Sequence, residues 1–197
     1  MKADDFIIKD ILGRERYKGM VEDKEINPLY SSSKYKHLVK LGTVSKGDIG
    51  EEITKSVFTY HGHDVKKRTH KKHDHIIDNK IVDSKIAMID MYGAFNVNGI
   101  RKEHDYLVIH LLYKNKLVSW LMNQIDYVKY AVGGGTGVKV TVDKYDNISH
   151  NTDDAKRKYG VNWTDKIEAL RFAQTWNKVE ETFMKIGATK LNECVLA

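Results

Sequence analysis

A single cysteine and a single proline occur in 197 residues. The lone Cys194 has no partner for an internal disulfide, so the fold is expected to rest on an apolar core and to suit a reducing, cytoplasmic setting. No apolar run reaches the roughly 18 residues that a membrane-spanning helix needs, and the start, Met1-Lys2-Ala3-Asp4-Asp5, lacks the apolar centre of a signal peptide. No membrane partner is therefore expected. Internal repeats, low-complexity tracts and an obvious interdomain linker are also absent. The glycine-rich stretch Ala131-Val132-Gly133-Gly134-Gly135-Thr136-Gly137 lacks the Gly-Lys-Ser/Thr ending of a phosphate-binding P-loop and runs into an alternating strand, Val138 to Val142, so it reads as a turn.

What is present fits a globular enzyme domain. The chain is 41% hydrophobic and 30% charged, and it is long enough to bury a substantial core. Its 33 Lys and Arg outweigh 27 Asp and Glu, for a formal charge of +6. A modest excess of this kind mainly affects solubility and encounter rate. Placement says more: Lys66, Lys67, Arg68, Lys71 and Lys72, with His70 and His73 between and after them, run directly into Asp74. Such a run can neutralise phosphates of a nucleic acid, or it can be a solvated edge strand that lysines protect from aggregation.

The segment from Asp74 to Lys85 reads as two short strands joined by an Asp78-Asn79 turn. If those two residues form a type I′ turn, Ile77 faces Lys80, Ile76 faces Ile81, and Asp74 faces Asp83. The two carboxylates then lie roughly 5 Å apart on one face, where they repel unless a proton or a cation lies between them. Oxygen ligands suit a hard divalent ion. Lys85 returns to the same face two residues after Asp83. The acid-x-Lys tripeptide alone says little, since it recurs at Glu22-Asp23-Lys24 and Asp154-Ala155-Lys156. The facing Asp at hairpin register is what singles out Asp83.

This arrangement resembles the PD-(D/E)XK nuclease superfamily, with Asp74 followed by Asp83-Ser84-Lys85 and His73 where the name-giving proline often stands. Upstream, Gly47-Asp48-Ile49-Gly50-Glu51-Glu52 resembles the Gly-x-x-Gly-Glu opening of the helix that brings a further acid to the site in many relatives. That role carries to Glu51, with Glu52 as second choice. The resemblance covers about residues 45 to 113 and implies an α/β fold with a restriction-endonuclease-like core, a central mixed sheet of about five strands flanked by helices. It implies a metal site of Asp74, Asp83, the Ser84 carbonyl and Glu51, occupied by magnesium with manganese able to substitute, and Lys85 as the catalytic cation. Double-stranded DNA is the implied substrate, and a homodimer making site-specific cuts in both strands is the implied form. A junction-resolving or repair nuclease, and a DNA-binding module that has lost catalysis, are the alternatives.

Around this core, residues 1 to 46 read as an accessory segment whose first helix carries Ile7, Ile8, Ile11 and Leu12 and ends at Gly13, with a break at Pro28. A helix is expected from about Ser45 to Gly62, with Ile49, Ile53 and Val57 as its apolar stripe. Strands are expected at 86–91, 106–113 and 116–122, and Ala94 to Asn98 as a further segment of the same sheet. The nuclease core is taken as 47–150. Residues 151–197 are expected to be a helical segment packed on it, with a short helix from Thr152 to Tyr159 and a long one in which Phe172, Trp176, Val179, Phe183 and Ile186 follow helical spacing after Asp165 and Glu168. Five of nine histidines fall between His61 and His75. A zinc site there is conceivable but gains nothing from any nearby cysteine.

Overall fold

Asp78 and Asn79 both adopt left-handed backbone, with φ of 48° and 65°, the signature of a type I′ turn that two short polar residues tolerate. The computed structural model, which describes residues 2–67, 74–101, 103–142 and 149–196, therefore folds the chain here as expected. Strand β2 (His75–Ile77) pairs antiparallel with β3 (Lys80–Met88), with Ile77 opposite Lys80, Ile76 opposite Ile81 and His75 opposite Val82. β1 (Val65–Lys67) adds an edge strand to β2. β3 then pairs in parallel with β5 (Tyr106–Leu112), which pairs antiparallel with β6 (Lys116–Asn123). β10 (Thr189–Val195) closes the far edge against β6. The result is a mixed sheet of six strands in the order β1-β2-β3-β5-β6-β10, one more than expected.

Parallel pairing of β3 with β5 requires a crossover between them. That excursion contains β4 (Ala94–Arg101), which leaves the main sheet and joins β9 (Ile167–Thr175), β7 (Val138–Val142) and β8 (Ser149–His150) in a second, four-stranded sheet. The expectation that Ala94 to Asn98 lies in the main sheet is thus corrected. Its alternating Phe95 and Val97 mark a strand with one buried face, and alternation does not say which sheet receives it.

The C-terminal part also departs from expectation. No long helix spans 165–186. A 3-10 turn at Trp163–Lys166 leads into β9 (Ile167–Thr175), and the α-helix that follows, α7 (Val179–Ile186), ends at Gly187, which is left-handed at φ 87°. Phe172 and Phe183 do meet, with ring centroids 4.9 Å apart, but across a strand-to-helix contact. Buried Leu170 and Phe172 show the period of a strand, and a spacing of four is compatible with either element. Of the C-terminal elements, α6 (Thr152–Tyr159) is as expected, whereas β9 and β10 replace helix with one strand in each sheet.

The remaining elements cover the main sheet. α1 (Ala3–Leu12), α2 (Glu15–Lys18), α3 (Lys36–Val39) and α4 (Thr43–Tyr60) precede it, and α5 (Gln124–Val132) follows β6. Every residue of β5 from Leu107 to Leu112 is buried, as a strand covered on both faces must be. Leu112 and Leu117 pack with Ile8, Leu12, Ile49 and Ile53 beneath α1 and α4. Leu107, Ile109, Leu111 and Trp120 pack with Phe95, Phe172 and Phe183 on the side of the second sheet. Among the described residues no helix is long and apolar enough to cross a membrane.

Candidate active site

β2 is three residues long and opposes only Lys80 to Val82. From Asp83 onward β3 has β5 on one side and, among the described residues, no paired strand on the other. At that open rim lies a cavity of about 520 Å³, bounded by Thr43, Lys46, Gly47 and Glu51 of α4, by Asp74, by residues 84–91 and by Asn96 and Asn98 of β4. α4 lies close to this rim at Gly50, where a Cβ would stand 3.4 Å from the backbone at Lys85 and Ile86, at the limit of ordinary contact.

Asp74 sits one residue before β2, so it leaves the ladder where Asp83 would be its partner. Its Oδ2 instead accepts the Ser84 backbone N–H at 2.7 Å, replacing the bond that a longer β2 would have made. Asp83 lies beneath, 2% exposed. Lys85, on the same face, donates from Nζ to Asp83 Oδ1 at 2.7 Å. The other oxygen, Oδ2, is buried with no hydrogen-bond donor reaching it among the described residues. Burial, more than any neighbour, pushes the Asp83 carboxyl up to about 7; the Asp74 charge adds to this and Lys85 opposes it. Asp74, Asp83 and Lys85 are thus brought together, although Asp83 does not itself reach the cavity wall.

Alternation sends Ser84 to the opposite face, where a buried polar chain ties β3 to α4 and the sheet. Ser84 Oγ donates to Thr54 Oγ1 at 2.9 Å, Thr54 Oγ1 meets His110 Nε2 at 2.9 Å, and His110 Nδ1 meets Ser119 Oγ at 2.8 Å. Burial holds His110 down to about 4, so it is neutral. His75 Nε2 lies 3.1 Å from the Glu51 carbonyl oxygen and fastens β2 to the same helix.

Of the paired acids on α4, Glu51 borders the cavity. Glu52 turns away, bound by Arg14, Arg16 and Tyr17 in an ion cluster that fixes the accessory segment to α4. Glu51 does not complete a tight ligand cage, since among the described residues no three acid, imidazole or thiol groups converge to hold a metal. Two neighbours carried no sequence signal. His104 is buried with Nε2 3.8 Å from Asp83 Oδ1, and Lys46 is half-buried in the cavity wall.

The basic run is only partly described. Lys66, exposed on edge strand β1, pairs with Asp64 at 2.7 Å, which fits the solvated-edge reading as well as the phosphate-binding one. Lys67 contributes backbone to β1, while Arg68, Lys71 and Lys72 lie outside the described residues. The histidines make separate contacts, His61 with Asp4 at 2.7 Å and His63 with Asp78 at 2.6 Å. They form no zinc-like cluster among the described residues.

No family model matches this chain, and no curated protein matches it. A solved structure of a bacterial homing endonuclease, I-Ssp6803I, is similar in part, at 16% identity over 45% of this chain and 74% of that one, with a TM-score of 0.36.

Proposed function

We propose that the chain is a magnesium-dependent endonuclease that hydrolyses phosphodiester bonds of double-stranded DNA at the open rim of β3. The observation that carries this reading is the buried Asp83 oxygen with no donor, set beside Asp74 and Lys85. A carboxylate so placed needs a proton or a cation, and an all-oxygen donor set suits magnesium or manganese. Asp74 and Asp83 would hold the ion. The Ser84 carbonyl shares the open side of β3 with its N–H, and Glu51 would act from across the cavity through water. A bound magnesium would polarise the phosphoryl oxygen and offset charge on the leaving oxygen. Lys85 orients the attacking water and adds positive charge where negative charge grows. Asp74, through the Ser84 N–H, keeps the rim of β3 in register. The polar chain from Ser84 to Ser119 holds the floor beneath it.

The finer reading is a homodimer that cuts both strands at a specific sequence, as a restriction or mobile-element enzyme does. Supercoiled plasmid and four-way-junction DNA, each with magnesium or with chelator, test the proposal. Discrete linear fragments formed only with magnesium are expected, and Asp83→Ala should lose on the order of a thousandfold in rate. Cleavage of the junction alone would move the enzyme to the resolving class. Equal cleavage by Asp83→Ala would refute the site.

A further inference from the structure

Lys46 stands one turn into α4, half-buried, in the wall that faces the open rim of β3. It forms no ion pair with any described residue. The neighbouring carboxylate of Glu22 is bound to Lys24 at 2.9 Å. The other lysine of this cavity, Lys85, is held by Asp83. An unpaired amine is costly in such a position. It loses hydration, it lies near Lys24, and it sits toward the positive end of the α4 dipole. Desolvation chiefly, and then the Lys24 charge, bring its pKa down to about 8, with Glu22 opposing. The remaining charged groups around the cavity, Glu25, Glu51, Asp74 and Asp90, are acids. Nothing in the packing of α4 calls for a cation here, since the buried residues of that helix are Ser45, Ile49, Gly50, Ile53, Thr54 and Val57.

A cation kept in a cavity at a cost to stability suits an anion that arrives from outside. Resting on the nuclease reading above, we propose that Lys46 is the phosphate-binding residue of this cavity, its ammonium contacting a backbone phosphate of the DNA strand next to the one cleaved. The acids would hold the metal ion, and the scissile phosphate would meet that ion and Lys85. Lys46, which lines the same cavity as Asp74, would take the neighbouring phosphate and so set the path of the strand over the rim. As a point charge with rotatable donors, lysine suits a single phosphate oxygen without fixing sequence.

Binding of a short fluorescein-labelled duplex, followed by anisotropy in chelator over a series of salt concentrations, tests this without cleavage. Lys46→Gln should weaken binding and reduce the slope of log affinity against log salt by about 1, the value for one lost phosphate contact. Lys46→Arg should restore most of the slope. In magnesium, Lys46→Gln should raise KM for plasmid cleavage more than it lowers kcat. Its thermal midpoint should equal or exceed that of the parent, because the buried charge is gone. If the parent cleaves DNA and Lys46→Gln keeps both slope and KM, the assignment of Lys46 is overturned and the nuclease reading stands. If the parent neither binds duplex nor cleaves it, both fall.

Discussion

Asp83→Asn isolates the energetic demand of the site. The substitution keeps the shape and leaves an oxygen for Lys85, but it removes the charge. In the folded chain burial raises the Asp83 carboxyl from 3.8 to about 7. The folded state therefore holds this proton more tightly than the unfolded chain does. Between about pH 4 and pH 7 it carries more bound proton than the unfolded state, and stability falls as pH rises through that window. A gap of about 3 in pKa corresponds to about 4 kcal/mol at 1.36 kcal/mol for each. Asp83→Asn escapes this loss. In chelator, its stability relative to the parent should improve by about 2 to 4 kcal/mol between pH 4 and pH 8, close to 10 °C in midpoint for a chain of this size. Magnesium at pH 8 should raise the parent's midpoint and leave the variant's unchanged, because only a native-state site gains from the ligand. Thermal melts by circular dichroism across pH, with and without magnesium, measure both effects. A variant that is equally destabilised at pH 4 and pH 8, or that gains as much from magnesium as the parent, would refute the argument from the buried carboxylate.

Two further substitutions probe the scaffold under the site. Thr54→Val removes the hydroxyl between Ser84 and His110, leaving two buried polar groups short of a partner; it should cost about 1 to 3 kcal/mol, read as a lower urea midpoint at constant m value. Asn79→Val places a β-branched residue at φ 65° in the hairpin turn. A loss of about 1 to 2 kcal/mol is expected, together with weaker cleavage as Asp74 loses its register, whereas Asn79→Gly should match or exceed the parent in a thermal melt.

The parts of the fold that are legible in sequence are those settled by neighbouring residues. Asp78-Asn79 dictates its own turn type, the turn dictates the register, and the register brings Asp74 and Asp83 toward one another without help from the rest of the chain. Ile49, Ile53 and Val57 mark the buried face of α4 for the same reason. Long-range partners leave a fainter trace. β4 shows the alternation of any half-buried strand, and its pairing with β9, in which Asn96 lies opposite the distant Ala173, has no local signal. Phe172, Val179, Phe183 and Ile186 are buried, but Trp176 of the same stripe is exposed; a strand, a turn and a short helix supply that spacing between them without one continuous helical face. His104 and Lys46 are neighbours of the site only through folding.

The site itself depends on a deficit of pairing. Had β2 begun two residues earlier, its backbone would have taken the Ser84 N–H, Asp74 would have stood in the ladder, and the rim of β3 would have been sealed. Instead the ladder stops at His75 and Val82, and a side-chain carboxylate takes that N–H at 2.7 Å. The strand stays in place while its edge remains open to a cavity. Facing acids alone would be a surface curiosity that a proton could quiet. Acids at a strand edge with no described partner, one of them buried with Lys85 on one oxygen and no donor on the other, form an arrangement whose unmet negative charge a cation can relieve.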